Sequence, residues 1–159
     1  MSVHERKGAR AQGRKGATKD GETLPESPER VLPAIEGPSA FFWTSGADGR
    51  LRFLRCSACS YFVHPPTSYC PNCGGRDVAP HVVGGRGTVY SFTVNYQPWD
   101  GTADSYIIGV VEMDEQAGLR LMTNIVDVAP DDMRMGMRVE VVFEDHTPIY
   151  LPVFRPVAS

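Results

Sequence analysis

Two Cys-x-x-Cys pairs, the alternating apolar segments that follow them and a short aromatic stretch ahead of them predict a mainly β protein. The expected order is an N-terminal helix, a rubredoxin-like zinc ribbon and a five-stranded barrel of the OB type. The sequence divides into a disordered basic tail at 1–36, the aromatic helix at 37–50, the ribbon at 51–80 and the barrel at 81–159. With 159 residues and 42% hydrophobic content, the chain has enough apolar surface for a core of its own.

The tail is set apart by charge. Residues 1–19 carry six Lys and Arg against Glu5, a balance of +5, so the net charge of −3 leaves −8 on residues 20–159. Gly, Ala, Lys and Arg, followed by Leu24-Pro25-Glu26-Ser27-Pro28-Glu29, make a segment with too little apolar surface to fold. An acidic body is a poor match for phosphate backbones, whose binding rests on cationic neutralisation. No apolar run is long enough for a membrane span or a signal peptide. The expected setting is therefore cytoplasmic and reducing, where thiols persist.

Pro38 and Ser39 suit a helix start. Phe41, Phe42 and Trp43 follow, and Gly46-Ala47-Asp48-Gly49 ends the helix. Two readings of the three aromatics stay open: packing on their own domain, or docking into a partner. Leu51-Arg52-Phe53-Leu54-Arg55 alternates as a strand and leads into the first cysteine pair.

Cys56 and Cys59 form one pair, Cys70 and Cys73 the other, with ten residues between them and no further cysteines. Each Cys-x-x-Cys turn offers two thiolates from one tight loop, and two such loops fill a tetrahedral zinc shell at about 2.3 Å per sulfur. That shell is coordinatively closed, so the expected role of the ion is structural and not hydrolytic. Iron is the rival metal, because Cys70-Pro71-Asn72-Cys73-Gly74 resembles a rubredoxin knuckle; disulfides or redox thiols are the non-metal rivals. Gly74 suits a turn requiring positive φ, whereas the first pair has Ser60 in the equivalent place. His64 lies near the cluster but is expected at the surface or behind the ligands.

Five strands are expected after the ribbon. Along the first, Thr88, Tyr90, Phe92, Val94 and Tyr96 share one face, read as the barrel core. Tyr106–Met113 is apolar on both faces apart from Gly109; Leu119, Leu121, Thr123 and Ile125 line a third strand; Val139–Phe143 and Ile149–Phe154 complete the set. Pro152 should shorten the last strand or confine it to an edge. Gly84-Gly85-Arg86-Gly87 has no helix or Lys-Ser/Thr after it, so it reads as a bend and not a phosphate loop.

No catalytic constellation is visible. The four histidines are scattered, no serine stands in a Gly-x-Ser-x-Gly elbow, and Asp114 and Glu115 read as solvated turn acids. A binding or scaffold module is left. The alternative is a single-stranded nucleic-acid binder using Tyr90, Phe92, Tyr96 and Trp99 as stacking platforms, weakened by strands poor in Lys and Arg.

Phe41-Phe42-Trp43, Leu54-Arg55-Cys56-Ser57-Ala58-Cys59, His64-Pro65-Pro66, Tyr69-Cys70-Pro71-Asn72-Cys73-Gly74, Gly85-Arg86-Gly87-Thr88-Val89-Tyr90-Ser91-Phe92-Thr93, Gly136-Met137-Arg138-Val139-Glu140-Val141 and Pro152-Val153-Phe154-Arg155-Pro156 stand in a familiar order. From roughly Ser39 to Pro156 the chain resembles the zinc-ribbon/OB-fold family associated with acyl-CoA metabolism, once filed as a domain of unknown function. The resemblance implies a non-catalytic accessory partner of thiolase-superfamily or hydratase-like enzymes. These include hydroxymethylglutaryl-CoA synthases and the sterol-carrier-type thiolase-like aldolases and MaoC-like hydratases of steroid side-chain degradation. In some members the barrel helps shape the entrance for CoA. The resemblance also implies Cys56, Cys59, Cys70 and Cys73 as ligands of structural zinc, and the helix around Phe41, Phe42 and Trp43 as a docking element. It says nothing about the tail.

Overall fold

In a computed structural model of the chain, residues 31–97 and 105–158 are described. The expected tail up to residue 30 and Trp99 lie outside them. A 3-10 turn at Gly37–Ser39, with Pro38 in its first positions, runs into the helix α1 (Ala40–Thr44), and a second 3-10 turn at Ser45–Asp48 follows. Gly49 at φ 73° ends the unit in the left-handed region. Gly46 is buried because this turn rides directly on the barrel: a Cβ there would lie 2.4 Å from Phe143 Cδ1 and 2.6 Å from Tyr150 Cβ.

The ribbon sheet has the order β2 (Phe62–Val63), β1 (Arg52–Cys56), β3 (Val78–Val82), all antiparallel. Arg52 ties the preceding turn to this sheet. Its guanidinium donates to both carboxylate oxygens of Asp48, at 2.9 and 2.6 Å, and to Ser45 O at 2.8 Å.

The barrel closes in the order β4 (Arg86–Asn95), β5 (Tyr106–Met113), β6 (Arg120–Ile125), β8 (Ile149–Pro156), β7 (Arg138–His146). A 3-10 turn at Pro130–Asp132 precedes β7. Along β5, Ile107, Gly109, Val111 and Met113 point inward. Gly109 leaves room for Ile125, whose Cγ1 lies 2.7 Å from where a Cβ would sit.

Two expectations are corrected here. A bulge between Val89 and Ser91 changes the inward parity of β4: Gly87 and Val89 are buried before it, while Phe92 and Val94 pack on the core after it. Tyr90 falls at the bulge and stands outside at 52% exposure, and Tyr96 is exposed as well. The single alternating face drawn through Thr88, Tyr90, Phe92, Val94 and Tyr96 therefore does not exist. Nor does Pro152 shorten its strand, because β8 continues to Pro156. Pro152 pairs with Phe143 of β7, two residues before β8 meets β6 at the pair Ile125–Phe154, so its missing N–H falls where β8 has a ladder neighbour on one side only.

Helix, ribbon and barrel share a single core. Phe42 from α1, Leu51 and Phe53 from the ribbon, and Val89, Val111, Val139 and Phe154 from the barrel belong to one buried cluster. Gln116, in the turn after β5, reinforces the join. Its Oε1 accepts from Phe62 N at 2.8 Å and its Nε2 donates to Phe62 O at 3.1 Å, so an amide of the barrel pairs with ribbon backbone as a neighbouring strand would. Asp114 and Glu115 are likewise structural and not merely solvated. Arg138 holds Asp114 by a two-pronged pair at 2.7 and 2.5 Å and keeps its carboxyl below the usual range, and Glu115 accepts from Gly84 N at 2.7 Å.

Candidate metal centre and neighbouring faces

The four cysteine sulfurs all lie within 4.8 Å of one another. Cys56 and Cys73 sulfurs are 3.7 Å apart, and Cys59 and Cys70 sulfurs 3.6 Å. A disulfide holds its sulfurs at about 2.05 Å, so none is formed here. Four sulfurs at about 2.3 Å from a central ion stand about 3.8 Å from each other at the tetrahedral angle. The spacing found fits that shell, and the donor set is that of a structural zinc site. When bound, the ion supplies bracing and leaves no open position for water.

The two knuckles are built alike. Ser60 N donates to Cys56 O and Gly74 N to Cys70 O, each at 2.9 Å. Cys56 N donates to Tyr61 O at 3.0 Å and Cys70 N to Gly75 O at 2.7 Å. Ser60 at φ 64° and Gly74 at φ 75° occupy the same left-handed position, so Ser60 bears there the steric cost that Gly74 avoids. A Cβ on Gly75 would lie 3.3 and 3.4 Å from the sulfurs of Cys73 and Cys56, so this backbone passes hard against the cluster.

The site is lopsided in depth. Cys56 and Cys70 are buried, Cys59 is half-buried and Cys73 exposed. Asn72, in the second knuckle, reaches across and donates from Nδ2 to Cys59 Sγ at 3.5 Å. This bond, with the backbone bond at Tyr61, holds the Cys59 thiol below its usual range.

His64 is not a ligand, as expected, and of the two places open to it the surface is ruled out. Its ring packs 5.3 Å from Phe42 and 5.0 Å from Phe53, joining helix to ribbon, and its Nδ1 is buried without a hydrogen-bond partner. Burial pushes its pKa down from 6.5 to about 4. Between those values the unfolded chain binds a proton that the folded chain refuses, so stability is full above about pH 6.5 and falls as pH drops toward 4. Each pH unit in that window removes at most about 1.4 kcal/mol. Urea midpoints at pH 7 and pH 5, measured in excess zinc, should therefore fall further for the wild type than for His64→Leu. An equal fall in both would show that this imidazole does not set the acid sensitivity.

Of the three aromatics in α1, Phe42 is 3% exposed and belongs to the core, stacked edge-on against Trp43 at 4.9 Å between centroids. Phe41 and Trp43 pack against that core and remain half-buried. Trp43 also walls a shallow groove of about 190 Å³ that runs between β6 and β8, with Val31, Met122 and Leu151 among its other walls. Val31 and Met122 are 94% and 72% exposed. On the barrel exterior the Arg120 guanidinium covers the Tyr90 ring at 3.5 Å and pairs with Glu112 at 2.8 Å, so the tyrosine face is already occupied. Sequence reasoning had no signal for Gln116, Asn72 or Arg120, whose roles depend on which segments lie across from them. Among the described residues no helix is long and apolar enough to cross a membrane.

A metal-braced ribbon sharing its core with an OB barrel defines a zinc-ribbon/OB scaffold module. Residues 43–79 match the ChsH2 rubredoxin-like zinc ribbon domain, and residues 80–144 the ChsH2 C-terminal OB-fold domain. A DUF35 domain-containing scaffold protein of Methanocaldococcus jannaschii is 33% identical over 116 residues, covering 67% of this chain and 81% of that protein. The chain belongs to the DUF35 family. A chain of the solved Ltp2-ChsH2(DUF35) aldolase superposes with a TM-score of 0.71 at 37% identity, covering 80% of this chain and 100% of that one. A probable enoyl-CoA hydratase alpha subunit of Thermomonospora curvata is 39% identical over 129 residues, 80% of this chain. The present chain spans only 40% of that relative's length.

Proposed function

We propose that this chain is a non-catalytic accessory subunit that binds and completes an acyl-CoA-processing enzyme, of the thiolase-like aldolase or hydratase kind. The observation that carries the reading is its likeness to the ChsH2 chain of the Ltp2-ChsH2(DUF35) aldolase over 80% of its length. The hydratase alpha subunit of Thermomonospora curvata supports the same class of partner. In this reading the zinc held by Cys56, Cys59, Cys70 and Cys73 fixes the ribbon, the shared core fixes the ribbon on the barrel, and the partner supplies the chemistry. Docking uses the half-buried Phe41 and Trp43, with Phe42 anchoring their helix, and continues along the β6–β8 groove to Met122. The complex works in the cytoplasm.

Co-expression with a thiolase-like or hydratase-like protein encoded beside it should yield a co-purifying complex whose acyl-CoA turnover exceeds that of the enzyme alone. A chain that stays alone with every such protein would defeat the accessory reading. Met122→Asp places a charge on the exposed wall of the groove without touching the core, and should weaken the complex about tenfold or more, as loss of an interface anchor does. Unchanged affinity of that variant would refute docking at this face while leaving the accessory role standing.

A further inference from the structure

We propose that the Asn72 side-chain amide is the latch of the metal centre: by holding the Cys59 thiolate from across the site, it sets how fast the ion is lost. The two buried sulfurs, Cys56 and Cys70, are shielded by the fold, so the exposed side of the shell is the edge between Cys59 and Cys73. Exchange at a closed tetrathiolate site requires an incoming donor to displace one thiolate, and this edge is where an incoming donor has access. Asn72 sits one residue before Cys73 and reaches thirteen residues back to Cys59 Sγ, so it ties the backbone beside one member of that edge to the sulfur of the other. It also links the two knuckles to each other independently of the ion.

The physical role follows from the bond. An N–H donor directed at a thiolate fixes its orientation, and outer partners of this kind alter metal affinity by about 10–100-fold when removed. Asn72 is itself exposed and makes no contribution to the core, so truncating it leaves the fold in place. An aspartate at the same position has a carboxylate where the amide donor stood, and repels the thiolate instead of holding it.

The test uses the full-length, zinc-loaded chain, with release followed by a coloured zinc chelator in excess. Wild type should release slowly, Asn72→Ala about tenfold faster, and Asn72→Asp faster still. Arg76→Ala, an exposed change on the same loop, should match the wild type. The second readout is the sulfur-to-metal charge-transfer absorption of the cobalt-substituted protein, which should shift in Asn72→Ala and not in Arg76→Ala, because only the former alters electron density on a ligand. Equal release rates for Asn72→Ala and wild type would overturn the proposal. So would faster release with an unmoved absorption band, since that pattern belongs to a loosened loop and not to a lost bond to sulfur. A wild-type chain that binds no zinc would overturn it at the outset.

Discussion

Cys56→Ser is expected to empty the metal site and to destabilise the whole chain, not the ribbon alone. Structural zinc in small modules contributes about 10–16 kcal/mol of apparent binding free energy. A domain's entire net stability is about 5–15 kcal/mol. Removing a ligand that is 2% exposed thus removes a term as large as the total. Cys56 also ends β1, the central strand of the ribbon sheet, where it pairs with Val78. Loss of the ion releases that strand, and Leu51 and Phe53 beside it are core residues shared with the barrel. Zinc content should fall from one per chain to near none, and thermal unfolding should lose its single sharp transition. Cys73→Ser, on the exposed side, should be milder. Full zinc loading and an unchanged melting profile in Cys56→Ser would contradict the tetrathiolate assignment.

Phe53→Ala should cost about 3–5 kcal/mol, the range for deleting a fully buried phenyl ring. Phe53 is 1% exposed and its ring meets both Phe42, at 6.1 Å, and His64, at 5.0 Å. The cavity would open where helix, ribbon and barrel converge, and the surrounding elements are held too firmly to collapse into it. In a chain of this size that loss lowers Tm by roughly 6–20 °C, readable by calorimetry. Tyr96→Ala, at a position 67% exposed, should leave Tm almost unmoved. A small effect at Phe53 would mean that the three parts fold as separate units.

What could be read from the sequence was what depends on local spacing. Cys-x-x-Cys brings two sulfurs together within one turn, so the metal cluster was legible before any fold was known. Alternation made β6 legible for the same reason, because the residues that decide each face are near neighbours in the chain; the apolar run of β5 marked a strand without marking which face turns inward. The half of β4 that was misread hinges on one extra residue, and a bulge has no composition of its own when Val89 and Tyr90 are good strand formers and neither Gly nor Pro marks the place. The helix is five residues long, too short to show a period, so sequence alone did not separate buried Phe42 from its half-exposed neighbours. Gln116 and Asn72 act across 54 and 13 residues, and nothing in a turn of Asp-Glu-Gln or a knuckle of Pro-Asn announces what will lie opposite.

The barrel is a hoop with one clasp. Every neighbouring pair of strands but one is laced along several residues, whereas β6 and β8 touch through the pair Ile125–Phe154, the amide of Val126 on Phe154 O and the Thr123 hydroxyl on Pro152 O. A cylinder stitched this way keeps its girth everywhere except along that line, where parting the strands sacrifices few bonds. Any change in the barrel's calibre is therefore easiest at the clasp, where the fewest bonds oppose it.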